Sequence, residues 1–228
     1  RGSGSSPIIH GNLLILTFDG ADLQYMAALD KRTGKTVWQL NDPPVSIEGR
    51  TDGFRGNKSR EWICSFSTPI LVSTAKGVEL VMNYPGSLAG IDPATGKRLW
   101  LCEGLTPLIY TSPIAGEGVV VGMGGYFGTS LAIKAGGQGD VTGKTLWRTE
   151  RTPNRLGSGV VHQGHIFVLN TNGIMECLDL KNGEVKYSER VRGRGPKQES
   201  WSSMILAGDR IYIPNQSGET IVLRANPK

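Results

Sequence analysis

Short apolar runs recur along the chain, each bounded by glycine, asparagine or aspartate. The runs at 13–17, 119–122, 166–169 and 211–214 are rich in β-branched residues and too short for helices, so they predict strands. Gly11-Asn12, Gly164 and Gly208-Asp209 sit where hairpin turns with positive φ are expected. A second kind of segment opens with a hydroxyl residue and runs into apolar ones. Its copies are Ser6-Pro7-Ile8-Ile9, Thr68-Pro69-Ile70-Leu71, Ser112-Pro113-Ile114-Ala115, Ser158-Gly159-Val160-Val161 and Ser203-Met204-Ile205-Leu206. Equivalent positions of a radial repeat lie at equal distance from its axis, so the five hydroxyl residues should line one ring at the start of the innermost strands.

A longer marker follows four of these segments. It reads Ala28-Leu29-Asp30-Lys31-Arg32-Thr33-Gly34-Lys35-Thr36-Val37-Trp38, and then Gly90-Ile91-Asp92-Pro93-Ala94-Thr95-Gly96-Lys97-Arg98-Leu99-Trp100. A third copy with an altered first half ends Thr142-Gly143-Lys144-Thr145-Leu146-Trp147, and a fourth carries Asp179, Gly183 and Tyr187 in the same places. The marker glycines are 62, 47 and 40 residues apart, and the shortest spacing fits one four-stranded propeller blade of ~40–45 residues. Within the marker the aspartate can cap a turn, Thr-Gly supplies the reversal, and the tryptophan starts or ends the outermost strand. Its large face can then join sheets that cannot bury their own faces alone. The expected fold is all-β: one β-propeller domain over 1–228, of four-stranded antiparallel blades with negligible helix. About five blades are expected, near 5–40, 66–102, 111–149, 157–189 and 201–228, with a long insertion at 41–65 and the last blade stopping after Leu223.

The A-x-D-x-x-T-G-x-x-x-W pattern resembles the tryptophan-docking motif of dehydrogenases that depend on pyrroloquinoline quinone (PQQ). It is also similar to the repeat of the lipoprotein propeller that helps assemble outer-membrane β-barrels. The resemblance covers almost the whole chain and implies a propeller of about seven or eight blades. The five counted here would then be an incomplete arc whose N-terminal blades are missing. It also implies export to the periplasm, the cell surface or the medium, although the opening Arg1-Gly2-Ser3-Gly4 is no signal peptide. The quinone enzymes hold their cofactor with adjacent cysteines, a stacked tryptophan, a calcium ion and an aspartate. This sequence has no adjacent cysteines and no alignable calcium set, so no cofactor is expected, PQQ included.

Composition refines this picture modestly. The 32 Gly and 12 Pro among 228 residues, with 38% apolar residues, suit short strands and many turns. No apolar run reaches the ~18 residues of a membrane helix. Cys64, Cys102 and Cys177 are too few and too scattered for a disulfide framework or a zinc site, although a Cys64–Cys102 bridge is open to an exported protein. His162, His165 and His10 fall at hairpin turns with no third metal ligand placed, and are expected to be exposed. No catalytic constellation is recognisable, and no specific nucleic-acid signal.

Charge is the more informative property. The net charge is +5, and 11 of the 25 Lys and Arg residues lie in three interblade segments. These are Arg50, Arg55, Lys58 and Arg60; Arg148, Arg151 and Arg155; and Arg190, Arg192, Arg194 and Lys197, with Trp62 and Trp201 near two of the ends. Loops tolerate charge without function, yet arginine beside exposed tryptophan is a frequent binding composition. The expected function is therefore a non-enzymatic scaffold that binds a protein or acidic ligand through its basic loop face. The alternative is an enzyme, or a subunit of a quinoprotein-type oxidoreductase, whose cofactor site lies partly in missing blades.

Overall fold

The computed structural model describes residues 4–19, 24–46, 48–51, 63–150 and 152–227. Blade 1 orders β1 (Ile8–His10), β2 (Leu13–Asp19), β3 (Gln24–Asp30) and β4 (Thr36–Asn41). β5 (Cys64–Ser65) precedes blade 2, which is β6 (Ile70–Thr74), β7 (Gly77–Tyr84), β8 (Ser87–Ile91) and β9 (Arg98–Glu103). β10 (Leu108–Ile109) leads into blade 3, with β11 (Ile114–Gly116), β12 (Val119–Met123), β13 (Ser130–Lys134), the displaced β14 (Gly139–Asp140) and β15 (Trp147–Thr149). Blade 4 is β16 (Val160–His162), β17 (His165–Leu169), β18 (Ile174–Asp179) and β19 (Val185–Arg190). Blade 5 has three strands, β20 (Ile205–Ala207), β21 (Arg210–Pro214) and β22 (Thr220–Arg224). The pairings within each blade are antiparallel, and among the described residues the helical content is one 3-10 turn at Thr142–Lys144.

Two short ladders depart from the expected pattern. β5 and β10 pair in parallel, Cys64 with Leu108 and Ser65 with Ile109, and so tie together the segments that enter blades 2 and 3. β14 leaves blade 3 and adds a fifth, parallel strand to blade 2 beside Trp100 and Leu101.

Burial along the strands follows from their place in the stack. β8 and β12 are buried at every position because blades cover both of their faces. β22 alternates exposed and half-buried because one face alone is covered. Along β7, Leu80, Met82 and Tyr84 pack with Ile15, Met26 and Trp38 of blade 1, while Val81 packs toward Val120 and Leu131 of blade 3. Two further clusters join blades 3 and 4 and blades 4 and 5. None of the four joins blade 5 to blade 1, and Ile9 and Ile205 at the two ends are 60% and 62% exposed. The described residues form an open arc of five blades.

The hydroxyl residues form a continuous hydrogen-bond ladder along the inner strands. The amide of Ser6 donates to Thr68 Oγ1 at 2.9 Å, that of Thr68 to Ser112 Oγ at 3.0 Å, that of Ser112 to Ser158 Oγ at 2.9 Å, and that of Ser158 to Ser203 Oγ at 3.0 Å. Blades 2, 3 and 4 each contribute one donor and one acceptor, blade 1 a donor and blade 5 an acceptor, so the residue type recurs because each step needs a short hydroxyl. Among the described residues no bond runs from Ser203 back to Ser6, which agrees with the open arc.

The marker motif is a second joint, nearer the rim. Asp30 Oδ1 accepts the amides of Arg32 and Thr33 at 3.0 and 2.8 Å, and these bonds hold its carboxyl below the usual range. Trp38 lies third in β4, inside the strand rather than at its end, and is buried against blade 2. Its indole Nε1 donates to the Pro93 carbonyl at 3.0 Å, and its ring covers Gly96. Trp147 repeats the arrangement on blade 4, donating to the Leu180 carbonyl at 2.9 Å and covering Gly183. A β-carbon on Gly96 or Gly183 would stand 2.6 or 2.7 Å from the ring, and both glycines hold φ above +70°. Tyr187 is half-buried against the blade 4–5 cluster.

Trp100 departs from the scheme. In the altered third repeat Asp140 caps the turn at Thr142, yet Gly143 has no neighbour where a β-carbon would stand, so Trp100 does not dock on that glycine. Trp100 lies instead against Gly137 and Val141, and its Nε1 donates to Glu79 Oε2 of its own blade at 2.9 Å. Glu79 Oε1 accepts the Gly136 amide at 2.9 Å, so one buried carboxyl group bridges the tryptophan and the reshaped turn. The sequence signal for this was a lone acid in an apolar strand.

Candidate functional site: a cleft with two arginines

The turn after β9 places the carbonyls of Gly104 and Leu105 side by side. Arg50, from the segment after blade 1, donates from Nη2 to Leu105 O at 2.8 Å. Arg148, on β15 of blade 3, reaches Gly104 O with Nη2 at 3.4 Å. A β-carbon at residue 104 would stand 2.2 Å from Arg148 Nη1, so glycine there leaves the slot in which the guanidinium lies. Two cations distant in sequence therefore converge on one turn of blade 2. They line a cleft of about 640 Å3 whose other walls include Pro43, Pro85, Ser87, Glu103 and Thr142. Ser87 Oγ is buried and has no hydrogen-bond partner. Arg148 also pairs with the exposed Glu150, an ion pair in contact with solvent and of small worth to stability.

The other basic residues distribute differently. Arg190 donates to the Asn172 carbonyl at 2.8 Å and lines a separate recess of about 310 Å3 with Gln198 and Glu199. Arg192, Arg194 and Lys197 are exposed on the loop between blades 4 and 5. That loop is fixed through its backbone: Glu219 accepts the amides of Arg194 and Gly195, and Ser217 Oγ accepts that of Lys197. Hydrogen bonding by Asn215, then by Gly195, lowers the Glu219 carboxyl from its ordinary range. Trp201 is 62% exposed beyond the same loop.

Arg155 is placed otherwise than expected. It is 2% exposed, with Nη2 on Glu176 Oε2 of blade 4 at 2.6 Å and Nη1 on Ser130 Oγ at 3.2 Å. A nearby acid on the next blade takes it into the blade 3–4 joint and away from the loop face. Arg55, Lys58, Arg60, Trp62 and Arg151 lie outside the described residues.

The three cysteines are buried, and Cys64 on β5 and Cys102 on β9 are not bridged to each other. The histidines are half-buried, His162 opposite His165 across a hairpin. Among the described residues no group of three His, Cys, Asp or Glu could hold a metal ion. No helix among them is long and apolar enough to cross a membrane.

Blades joined by a docked tryptophan at the rim and a hydroxyl ladder inside define a β-propeller of PQQ-like repeats. A family model described as outer membrane protein assembly factor BamB matches residues 2–107 and 85–226, and the chain belongs to that family. The outer membrane protein assembly factor BamB of Yersinia pestis is 24% identical over 221 residues, spanning 96% of this chain and 49% of that protein. The crystal structure of BamB from Moraxella catarrhalis matches with a TM-score of 0.69 at 19% identity, over 98% of this chain and 59% of that one. The quinohemoprotein alcohol dehydrogenase of Comamonas testosteroni matches with a TM-score of 0.64 at 18% identity, over 99% of this chain and 42% of its own. The chain thus spans about half the length of the curated relative it matches. At these identities the solved structures share its fold.

Proposed function

We propose that the arc is a non-enzymatic scaffold of an exported, outer-membrane assembly machinery, and that its Arg50–Arg148 cleft seats an acidic segment of a partner protein. The convergence of the two guanidinium groups on the Gly104 and Leu105 carbonyls carries the reading. Each arginine is oriented by a backbone carbonyl, so little side-chain freedom remains to be lost on binding. Planar guanidinium groups suit carboxylates because several N–H bonds share one plane. The exposed cations of the loop at 192–197 add long-range attraction for the same kind of partner.

Fluorescence anisotropy with a labelled Glu/Asp-rich peptide tests this. Charge-assisted bonds contribute ~1.5–3 kcal/mol each when sheltered. In this open cleft Arg148→Ala and Arg50→Ala should each weaken binding about five- to tenfold, and added salt should weaken the parent. Arg192→Ala should slow association while changing the equilibrium little. Parent-like affinity in both cleft variants would refute the assignment.

A further inference from the structure

Beneath the cleft, where blades 1 and 2 meet, lies a group of buried polar side chains that neither the fold nor the cleft uses. Asp19 ends β2 at 3% exposure, and among the described residues its carboxyl oxygens have the Ser65 backbone amide nearby but no hydrogen bond of good geometry. Asp42 follows β4, and its Oδ2 is likewise buried and unpartnered. Tyr84 ends β7, fully buried, with a hydroxyl that finds no partner. Arg98 of β9 comes in from the rim, donating from Nη2 to the Asn41 carbonyl at 3.3 Å and leaving Nε unpartnered. β3 contributes the Gln24 amide, which is bound to the Ile63 carbonyl, and β5 the backbone amide of Ser65.

The charges do not balance. Among the described residues, two ionised carboxylates beside one guanidinium leave a net −1 at a largely buried joint, and an uncompensated buried charge is strongly unfavourable. One proton makes the group neutral and supplies a donor to oxygens that lack one. We propose that Asp19 and Asp42 are a coupled proton-binding pair that keeps at least one proton while the joint is intact, making the joint of blades 1 and 2 a proton-sensitive lock on the walls of the cleft. Burial, and then the charge of Asp19, pushes the Asp42 carboxyl up to about 8. Burial pushes Asp19 up to about 7, with the Ser65 amide offsetting part of the rise. Burial, followed by the charge of Asp42, also drives the Tyr84 hydroxyl well above its ordinary value, so it stays protonated. The chain runs from Asp42 into Pro43 and from Tyr84 into Pro85 and on to Ser87, all of which line the cleft. Loss of the proton therefore loads the cleft from below. The consequence for a ligand rests on the reading of the cleft given above, whereas the titration does not.

The sign follows from linkage. Both folded values lie above that of an unfolded aspartate, roughly 4, so the stabilisation is complete below about pH 4. It declines as pH rises and is lost once pH passes the folded values of about 7 and 8. Each group contributes a tenfold change in the unfolding equilibrium per pH unit within its window.

Urea unfolding of the parent from pH 5 to 9, against Asp19→Asn, Asp42→Asn and the double variant, tests the lock. A carboxyl-carbon NMR titration of the unsubstituted protein serves should a variant fail to fold. The expected result is a parent that weakens steeply with pH, a double variant lacking that component, and two coupled carboxyl titrations near neutrality. Equal pH slopes, or two carboxyls that both titrate near 4, would overturn the proposal. So would Ca2+ or Mg2+ raising the parent's unfolding midpoint but not the double variant's, because a metal would then supply the charge. Failure of the peptide experiment alone leaves these outcomes untouched.

Discussion

Three marker glycines share one backbone conformation and differ in what covers them, which makes a self-controlled test of docking. Gly34, Gly96 and Gly183 have φ of +71°, +73° and +72°. Alanine at any of them carries the left-handed penalty of ~1–2 kcal/mol. Above Gly34 there is nothing within 4 Å, because among the described residues no tryptophan comes from a preceding blade. At Gly96 and Gly183 the new methyl would lie 2.6 Å from Trp38 and 2.7 Å from Trp147, well inside carbon contact distance. The indole cannot retreat without breaking its bond to Pro93 O or Leu180 O, so overpacking adds ~1–3 kcal/mol. Urea unfolding followed by tryptophan fluorescence should give ~1–2 kcal/mol for Gly34→Ala and ~2–5 kcal/mol for Gly96→Ala and Gly183→Ala. Equal losses at all three sites would show that the glycines serve turn conformation alone, and the docking contact would be refuted.

Other outcomes follow from the same joints. Trp100→Phe should cost ~1–2 kcal/mol more than Trp38→Phe, because it removes the indole bond to the buried Glu79; a double-mutant cycle with Glu79→Gln measures that coupling. Arg155→Ala should destabilise by ~3–5 kcal/mol, since Glu176 is left without its partner in the blade 3–4 joint, and its thermal midpoint reports this. Ser112→Ala removes one rung of the inner ladder and should cost ~0.5–1.5 kcal/mol in denaturant unfolding, with the acceptor for the Thr68 amide gone.

The architecture was legible because its signals are local. Asp30, Thr33 and Gly34 close a turn within a few residues, and the spacing of such turns counts the blades. The hydroxyl residues were legible as a ring because one position recurs five times, although the bond each makes needed the neighbouring blade. What escaped the sequence depends on distant partners. Glu79 bridges Trp100 to the reshaped turn of blade 3, and nothing in the third repeat names it. Arg155 and Arg148 belong to one basic segment only by sequence; Glu176 buries the first and Gly104 leaves room for the second. Asp19 and Asp42 are 23 positions apart and are placed by the register of blade 1, where Asp19 pairs with Gln24 and the Asp42 amide donates to the Gln24 carbonyl.

The open arc is tested most directly by engineered disulfides along the inner ladder. Residues bonded through one side chain across neighbouring blades lie close to the ~5.5–6 Å Cα separation a disulfide needs. Burial pushes the native Cys102 and Cys177 thiols up to about 11, which keeps them from competing. The account predicts that Ser112→Cys with Ser158→Cys forms an intrachain bond under mild oxidation. It predicts that Ser6→Cys with Ser203→Cys does not, as read by mass spectrometry of the monomer. An efficient intrachain bond between positions 6 and 203 would mean that blade 5 packs on blade 1, and the arc would be contradicted by a closed ring.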